Sequence, residues 1–341
     1  MKHFLIKLSY IVLPIWIGTV GWYIYYNQFF SKEFTGDLGN LLQYPFGEEY
    51  HDYVYQNIPE ELYYSDTDNK DTLSQLNHAV LAVGDSFSRF KKDCYLNYLA
   101  AHGINVVSYT SDADLVWLNP FQKAWELMEL GVIDSTNVTT FLVETVERSL
   151  LLRLKMMDFT TTQVTEDLRK KDETPDSWTL IYPIDYLGKK LGLRSTHIDR
   201  LQLNREFFSH KTLGNELFFF TDDVKSTLSV DMNNDFDSTA INNLKRLYDK
   251  AKEKNIRLII VVPADKYDLY QSFAINNTYP AKTINEDLRR LFPNEENLML
   301  CKELLLPYVQ RGEKDIYMLN DTHWSPYTAK IVADKLYQML L

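Results

Sequence analysis

The sequence predicts an α/β domain on a parallel sheet, and three observations carry that reading. Short apolar runs recur at residues 78–83 (HAVLAV), 104–109 (INVVSY), 138–143 and 257–262 (RLIIVV). They are continuous rather than alternating, as strands buried on both faces are. Amphipathic stretches of helical period separate them, so strand and helix alternate and helices should cover both faces of the sheet. Glycine and proline mark the joints: Gly103 and Gly131 stand where helices should end, and Ser325-Pro326 reads as an N-cap followed by proline at the first helical position.

In chain order, the first feature is an uncharged stretch from Leu8 to Ser31, preceded by Lys2 and Lys7 and followed by Glu33 and Asp37. A helix rising ~1.5 Å per residue needs roughly 20 residues to cross a hydrocarbon core of about 30 Å. The stretch is therefore expected to be a single transmembrane anchor (8–31) behind a cytoplasmic tail (1–7), with the remainder outside by the positive-inside bias. A cleaved signal peptide is the alternative, but no small-x-small site follows the apolar run. Residues 32–77 are polar and tyrosine-rich, and are expected to be a stalk packed loosely on the domain. The domain itself is assigned to 78–341. Its strands are those named above, with helices at 87–102, 120–130 and 144–156. After an insertion at about 158–237, with hairpins near 178–183 and 216–220, come a helix at 238–255, the strand at 257–262 and a helix at 284–291. A last strand at 315–319 and a final helix after Ser325 complete it.

Composition narrows the function classes. A formal net charge of −11 over 341 residues leaves nothing to neutralise a row of phosphates, so no nucleic-acid partner is expected. Two cysteines, Cys94 and Cys301, form no CxxC or Cys/His cluster, so no metal or cofactor site is expected. In an oxidising compartment the pair could bond.

Chemistry concentrates at two places. Gly84-Asp85-Ser86-Phe87-Ser88 follows the strand at 78–83 and leads into a helix. Gly84 would permit a tight turn with unusual backbone angles. Asp85 would hold the turn, and Ser86 would sit at a helix N-terminus favourable to a developing oxyanion. The alternative is an ordinary strand–helix turn with a capping serine. A serine nucleophile needs a base, and the base an orienting acid. Asp321-Thr322-His323-Trp324 lies after the expected last strand and before the Ser325 cap, on the same carboxyl edge of the sheet as Ser86. Ligands bind at that edge in open α/β sheets. Asp321 would face one imidazole nitrogen, leaving the other for Ser86, with Trp324 walling the ring.

Four stretches together resemble the SGNH/GDSL hydrolase superfamily, and within it the alginate O-acetyltransferase-like branch. They are the GDSFS block, Phe141–Arg148 (FLVETVER) with its Glu/Arg signature, the Pro263…Lys266…Tyr270 segment, and the D-x-H-W block at Asp321–Trp324. The resemblance implies a flavodoxin-like three-layer fold and a Ser86/His323/Asp321 triad. Relative to the alginate enzymes the order of blocks is circularly permuted. The asparagine oxyanion donor of SGNH enzymes is not evident, and Glu144 and Arg148 occupy its neighbourhood. Arg148 is a candidate for binding the oxyanion or an acidic glycan, with a structural Glu–Arg network as the alternative. Lys266 and Tyr270 are expected at the cleft edge.

The function implied is extracytoplasmic O-acyl transfer, in first place acetyl transfer, to a cell-surface or secreted polysaccharide, from the outer side of the inner membrane. A membrane-bound O-acyltransferase partner would deliver the acyl group. Two alternatives stand beside it: a carbohydrate acetylesterase using the same triad, and a non-catalytic glycan-binding scaffold.

Overall fold

The computed structural model describes residues 2–25, 35–42, 46–47, 50, 53–55, 58–60, 62, 64–65, 77–88, 92–109, 119–161 and 197–341. Among these are eight strands: β1 (Tyr64–Ser65), β2 (Ala79–Val83), β3 (Val106–Ser108), β4 (Val138–Glu144), β5 (Ile198–Gln202), β6 (Glu216–Phe220), β7 (Arg257–Val262) and β8 (Leu298–Leu300). Six form one sheet in the order β1-β3-β2-β4-β7-β8, and every neighbouring pair is parallel. β5 and β6 form a separate antiparallel pair within the expected insertion.

The strands sort their side chains by parity, as the two-residue period requires. Val80, Ala82, Leu142, Ile259 and Val261 face one core, packed against helices Tyr95–Ala101, Cys301–Arg311 and Pro326–Leu340. Leu81, Val83, Phe141, Val143, Ile260 and Val262 face the other, packed against Pro120–Glu129, Leu150–Lys155, Asp235–Glu253 and Ile284–Leu291. Three layers result. The chain runs from β2 outward to β3, then returns past β2 to β4, so the order reverses at β2. The carboxyl end of β2 is thus the switch point at which open α/β sheets bind ligands.

Several expectations are corrected. No single helix spans 87–102: Ser86–Ser88 is one 3₁₀ turn, and the α-helix starts only at Tyr95. Residues 144–156 likewise divide into a 3₁₀ turn, Glu147–Ser149, and the helix Leu150–Lys155. Residues 315–319 do not join the sheet. The edge beside β7 belongs to β8, three buried residues (Leu298, Met299 and Leu300) too short to stand out in the sequence. Asp315 instead takes a positive φ of 56°, and the apolar residues after it are buried in the core as a turn. An apolar run reports burial and does not by itself report pairing. The hairpin expected near 178–183 lies outside the described residues.

The N-terminal apolar stretch is helical from Lys2 to Tyr25, and 26–31 lie outside the described residues. Among the described residues, no helix is long and apolar enough to cross a membrane. Tyr10, Pro14, Gly18, Thr19 and Gly21 interrupt the aliphatic content of the described part, and the span expected over 8–31 continues into residues outside those described. The helix does leave Val12, Leu13, Ile15, Trp16 and Ile17 exposed.

The stalk reading of 32–77 also changes. Leu38, Phe46 and Tyr50 are buried in the first core, and the Leu38 and Gly39 N–H groups both donate to Asn320 O (3.1 and 3.2 Å). Among the described residues of this segment, Leu38 and Gly39 pack onto the loop that carries Asp321 and His323.

Candidate active site

Ser86 opens the turn that directly follows β2. A Cβ on Gly84 would stand 2.2 Å from Ser88 Oγ and 2.7 Å from Glu144 Oε2. Glycine is needed here for close approach, not for the unusual backbone angles expected from the sequence, since its φ is not positive. The Asp85 N–H and Ser88 Oγ both donate to Glu144 Oε2 (2.9 and 3.0 Å). The Asp85 carboxylate accepts from Arg153 (2.6 Å) and from the Val146 N–H (3.0 Å). Asp85 therefore does hold the serine turn, by tying it to the end of β4.

Charge in this buried corner is partitioned. Burial acts to raise the Asp85 carboxyl, but Arg153 and the hydrogen bonds outweigh it and hold it below its ordinary value. Glu144 is pushed well above its ordinary value, by burial first and by Asp85 second, and so keeps its proton. One carboxylate, one carboxylic acid and one guanidinium share the corner with no net charge, the condition under which buried ionic groups are tolerated.

His323 arrives from the other end of the chain, on a turn that Tyr317 and Trp324 close by an antiparallel bridge. The Met318 N–H donates to His323 O and the Ser325 N–H to Ile316 O, both at 3.1 Å. Ser325 then caps the helix Pro326–Leu340 through the Thr328 N–H, as the sequence predicts. His323 Nε2 lies 2.8 Å from Ser86 Oγ, and Nδ1 lies 2.5 Å from Asp321 Oδ1. The same Asp321 oxygen accepts the His323 N–H at 3.0 Å. Burial works against the imidazolium, yet Asp321, by charge and hydrogen bond, more than offsets it, and the His323 pKa is raised above its ordinary value. Asp321, although buried, is held below its own ordinary value by His323.

The other residues singled out in the sequence take different places. Trp324 does not wall the imidazole. Phe87 does, with ring centroids 4.7 Å apart, and Trp324 packs edge-on against Phe87 at 4.6 Å. Lys266 and Tyr270 are not at a cleft edge; both are buried. Lys266 Nζ donates to the carbonyls of Met318 (2.6 Å), Leu319 (3.0 Å) and Asp321 (3.0 Å), so it holds the Asp321 turn from inside. Tyr270 Oη accepts the Tyr317 N–H at 3.4 Å. Three carbonyls suit an ammonium with three protons, which explains why a lysine is drawn inside rather than left at the rim. Arg148 is committed to Asp265 (2.8 Å) and Asp223 (3.5 Å) and lies over the Phe220 ring. Asp265 also pairs with Lys282 at 2.6 Å, so Arg148 belongs to a buried ion network, with its side chain 21 % exposed. Cys94 and Cys301 are buried and not bonded to each other.

Sequence reasoning missed Asp37. Its N–H donates to Asp321 Oδ2 (3.0 Å), its Oδ1 accepts the Thr322 N–H (2.8 Å), and its Oδ2 accepts from Thr322 Oγ1. No local pattern marks it, because its partners lie at the other end of the chain. Asp37, Asp321 and His323 are the one grouping among the described residues whose donor atoms could meet a cation, but those atoms are occupied by the hydrogen bonds just given.

Residues 194–341 match the family model described as the SGNH hydrolase-like domain of the acetyltransferase AlgX. That segment is similar to the AlgX-type SGNH-like domain. It contains Lys266, Tyr270, Asp321 and His323, and stops short of Ser86 and the β2–β4 half of the sheet. The acetyl xylan esterase AlAXEase, a solved structure, aligns over 77 % of this chain and 100 % of its own length at 11 % identity and a TM-score of 0.27. No curated protein matches the sequence. The matched segment thus carries His323 and Asp321, and Ser86 comes from the half of the sheet ahead of it.

Proposed function

We propose that this chain is an O-acyltransferase working through an acyl-serine intermediate, and that it acetylates a polysaccharide outside the cytoplasm. One observation carries the reading: His323 bridges Ser86 Oγ and the Asp321 carboxylate at hydrogen-bond distances on both sides. In the first step Ser86 Oγ attacks the acetyl carbonyl of the donor while His323 Nε2 takes its proton. Asp321 holds the imidazole by Nδ1 and favours the imidazolium so formed. His323 returns the proton to the leaving group. A polysaccharide hydroxyl then gives its proton to His323 and attacks the acetyl-serine, and the product ester leaves with Ser86 reprotonated. The Ser86 N–H has no hydrogen-bond partner among the described residues, which leaves it available to the oxyanion.

The exposed aliphatic and indole side chains between Val12 and Ile17 support a membrane-proximal site, and its placement outside the cytoplasm rests on the family resemblance. There the acetyl group would come from a membrane-bound acyltransferase partner. The AlgX-type family of residues 194–341 favours transfer over hydrolysis. The test is to supply an artificial acetyl ester with and without an oligosaccharide. Acetylated sugar formed at the expense of free acetate supports transfer. Acetate release unchanged by the acceptor, with no acetylated sugar, establishes an esterase instead.

A further inference from the structure

We propose that Asp37 is a working member of this site, a positioning acid that braces the Asp321–Thr322–His323 turn and sets a second negative charge behind the imidazole. The inference rests on the acyl-transfer reading above.

The segment carrying Asp37 is built to reach this turn. Gly36 has φ +75°, and a Cβ on it would stand 2.2 Å from Asn320 O, so only glycine lets the chain come so close. Asn320 is gripped from both ends, its carbonyl by the Leu38 and Gly39 N–H groups and its amide by Thr35 Oγ1 at 2.7 Å. Farther along, Tyr50 Oη accepts the Leu319 N–H (2.8 Å) and donates to Asp315 (2.9 Å). The turn carrying Asp321 and His323 is therefore clamped on one side by Lys266 and on the other by Thr35, Asp37, Leu38, Gly39 and Tyr50.

Within this clamp the choice of an acid at position 37 has electrostatic consequences. Its Oδ2 lies 3.8 Å from His323 Nδ1, near enough for a direct effect on the imidazolium that forms when Ser86 gives up its proton. The charged and titratable groups facing it and His323 are Asp321, Lys266, Tyr55 and Arg148. Asp321 and Asp37 favour the imidazolium and Arg148 opposes it. Burial, and then Asp321, raise Asp37 to about 6, so it is ionised above that pH. A brace alone needs only partners for the Thr322 N–H and hydroxyl, which asparagine would provide, its carbonyl accepting the N–H and its amide donating to Oγ1. An acid in that place adds a charge to the base.

The experiment uses the full chain and Asp37→Asn, which keeps the shape and removes the charge. The His323 titration midpoint, read by NMR of the imidazole nitrogens, is expected to fall by about 1 pH unit. The acid limb of kcat/KM on an artificial acetyl ester should move down with it. Thr322→Val, which keeps the charge and loses the hydroxyl bond, should lower kcat while leaving the limb in place. A His323 midpoint in Asp37→Asn coincident with the wild type overturns the proposal, as does a limb that moves equally in Thr322→Val. Ser86→Ala separates this from the wider reading. If it turns over the ester as fast as the wild type, the acyl-serine function fails, while the NMR midpoint still decides the role of Asp37.

Discussion

Replacing Lys266 with methionine separates stability from positioning, because the buried ammonium both costs and contributes. Its three hydrogen bonds go to carbonyls of Met318, Leu319 and Asp321. Leaving buried acceptors unsatisfied costs about 1–3 kcal/mol each, so the gross loss is roughly 3–9 kcal/mol. Against this, burial lowers the Lys266 pKa from 10.5 to about 7, which corresponds to about 5 kcal/mol spent on keeping the group charged at low pH. The variant escapes that cost. The net change in stability at pH 6 is thus expected within about 4 kcal/mol of zero, while the turn carrying Asp321 loses its inner clamp. A displacement of about 1 Å in such a turn costs on the order of 100-fold in rate. The sign with pH follows from the depressed value. The unfolded chain binds the Lys266 proton more tightly than the folded one, so wild-type stability rises between pH 7 and 10.5, and the variant lacks that rise. Denaturant unfolding at pH 6 and pH 9, with ester turnover at each, measures both effects. Full activity in Lys266→Met, or an identical pH slope of stability in both proteins, refutes the reasoning.

Further outcomes follow from the same geometry. His323 must be neutral to accept the Ser86 proton and its pKa is raised above 6.5, so kcat/KM should fall with decreasing pH through a midpoint above that value. Asp321→Asn removes the acid that orients the imidazole and should lower kcat by about 10⁴, measured on the artificial ester. Gly84→Ala places a methyl 2.2 Å from Ser88 Oγ and should cost about 1–3 kcal/mol of stability in a thermal melt. Arg153→Met leaves the buried Asp85 carboxylate without its cation, and should destabilise the protein by about 3–5 kcal/mol in denaturant unfolding at neutral pH. Because the Asp85 carboxyl is depressed in the fold, that difference should shrink as pH falls through its lowered value, since protonated Asp85 no longer needs the partner.

What could be read from the sequence was what local chemistry determines. The strand Arg257–Val262, the helix Ile284–Leu291 and the Ser325-Pro326 cap all stand at the residues expected, because a continuous apolar run, a helical period and a proline at N1 are local signals. The pairing of Ser86 with His323, 237 residues apart, was also expected, although His323 stands on a turn ahead of the last helix and not after a sheet strand. Where local signals were ambiguous, reading failed. The run at 315–319 had the apolarity of a strand, but β8 took the place beside β7. Lys266 carried the polarity of a rim residue, and only the three carbonyls that turn inward explain its burial. Asp37 was invisible, because its contacts span 284 and 285 residues and an aspartate after a glycine has no distinctive pattern.

The central claim is that Ser86 is the nucleophile activated by His323. Incubating the full chain with a serine-directed sulfonyl fluoride and mapping the modified peptide by mass spectrometry tests it most directly. A single adduct on Ser86, lost in Ser86→Ala and strongly slowed in His323→Ala, is the expected result. An unlabelled wild-type protein, or a label on another residue that persists in Ser86→Ala, would contradict it.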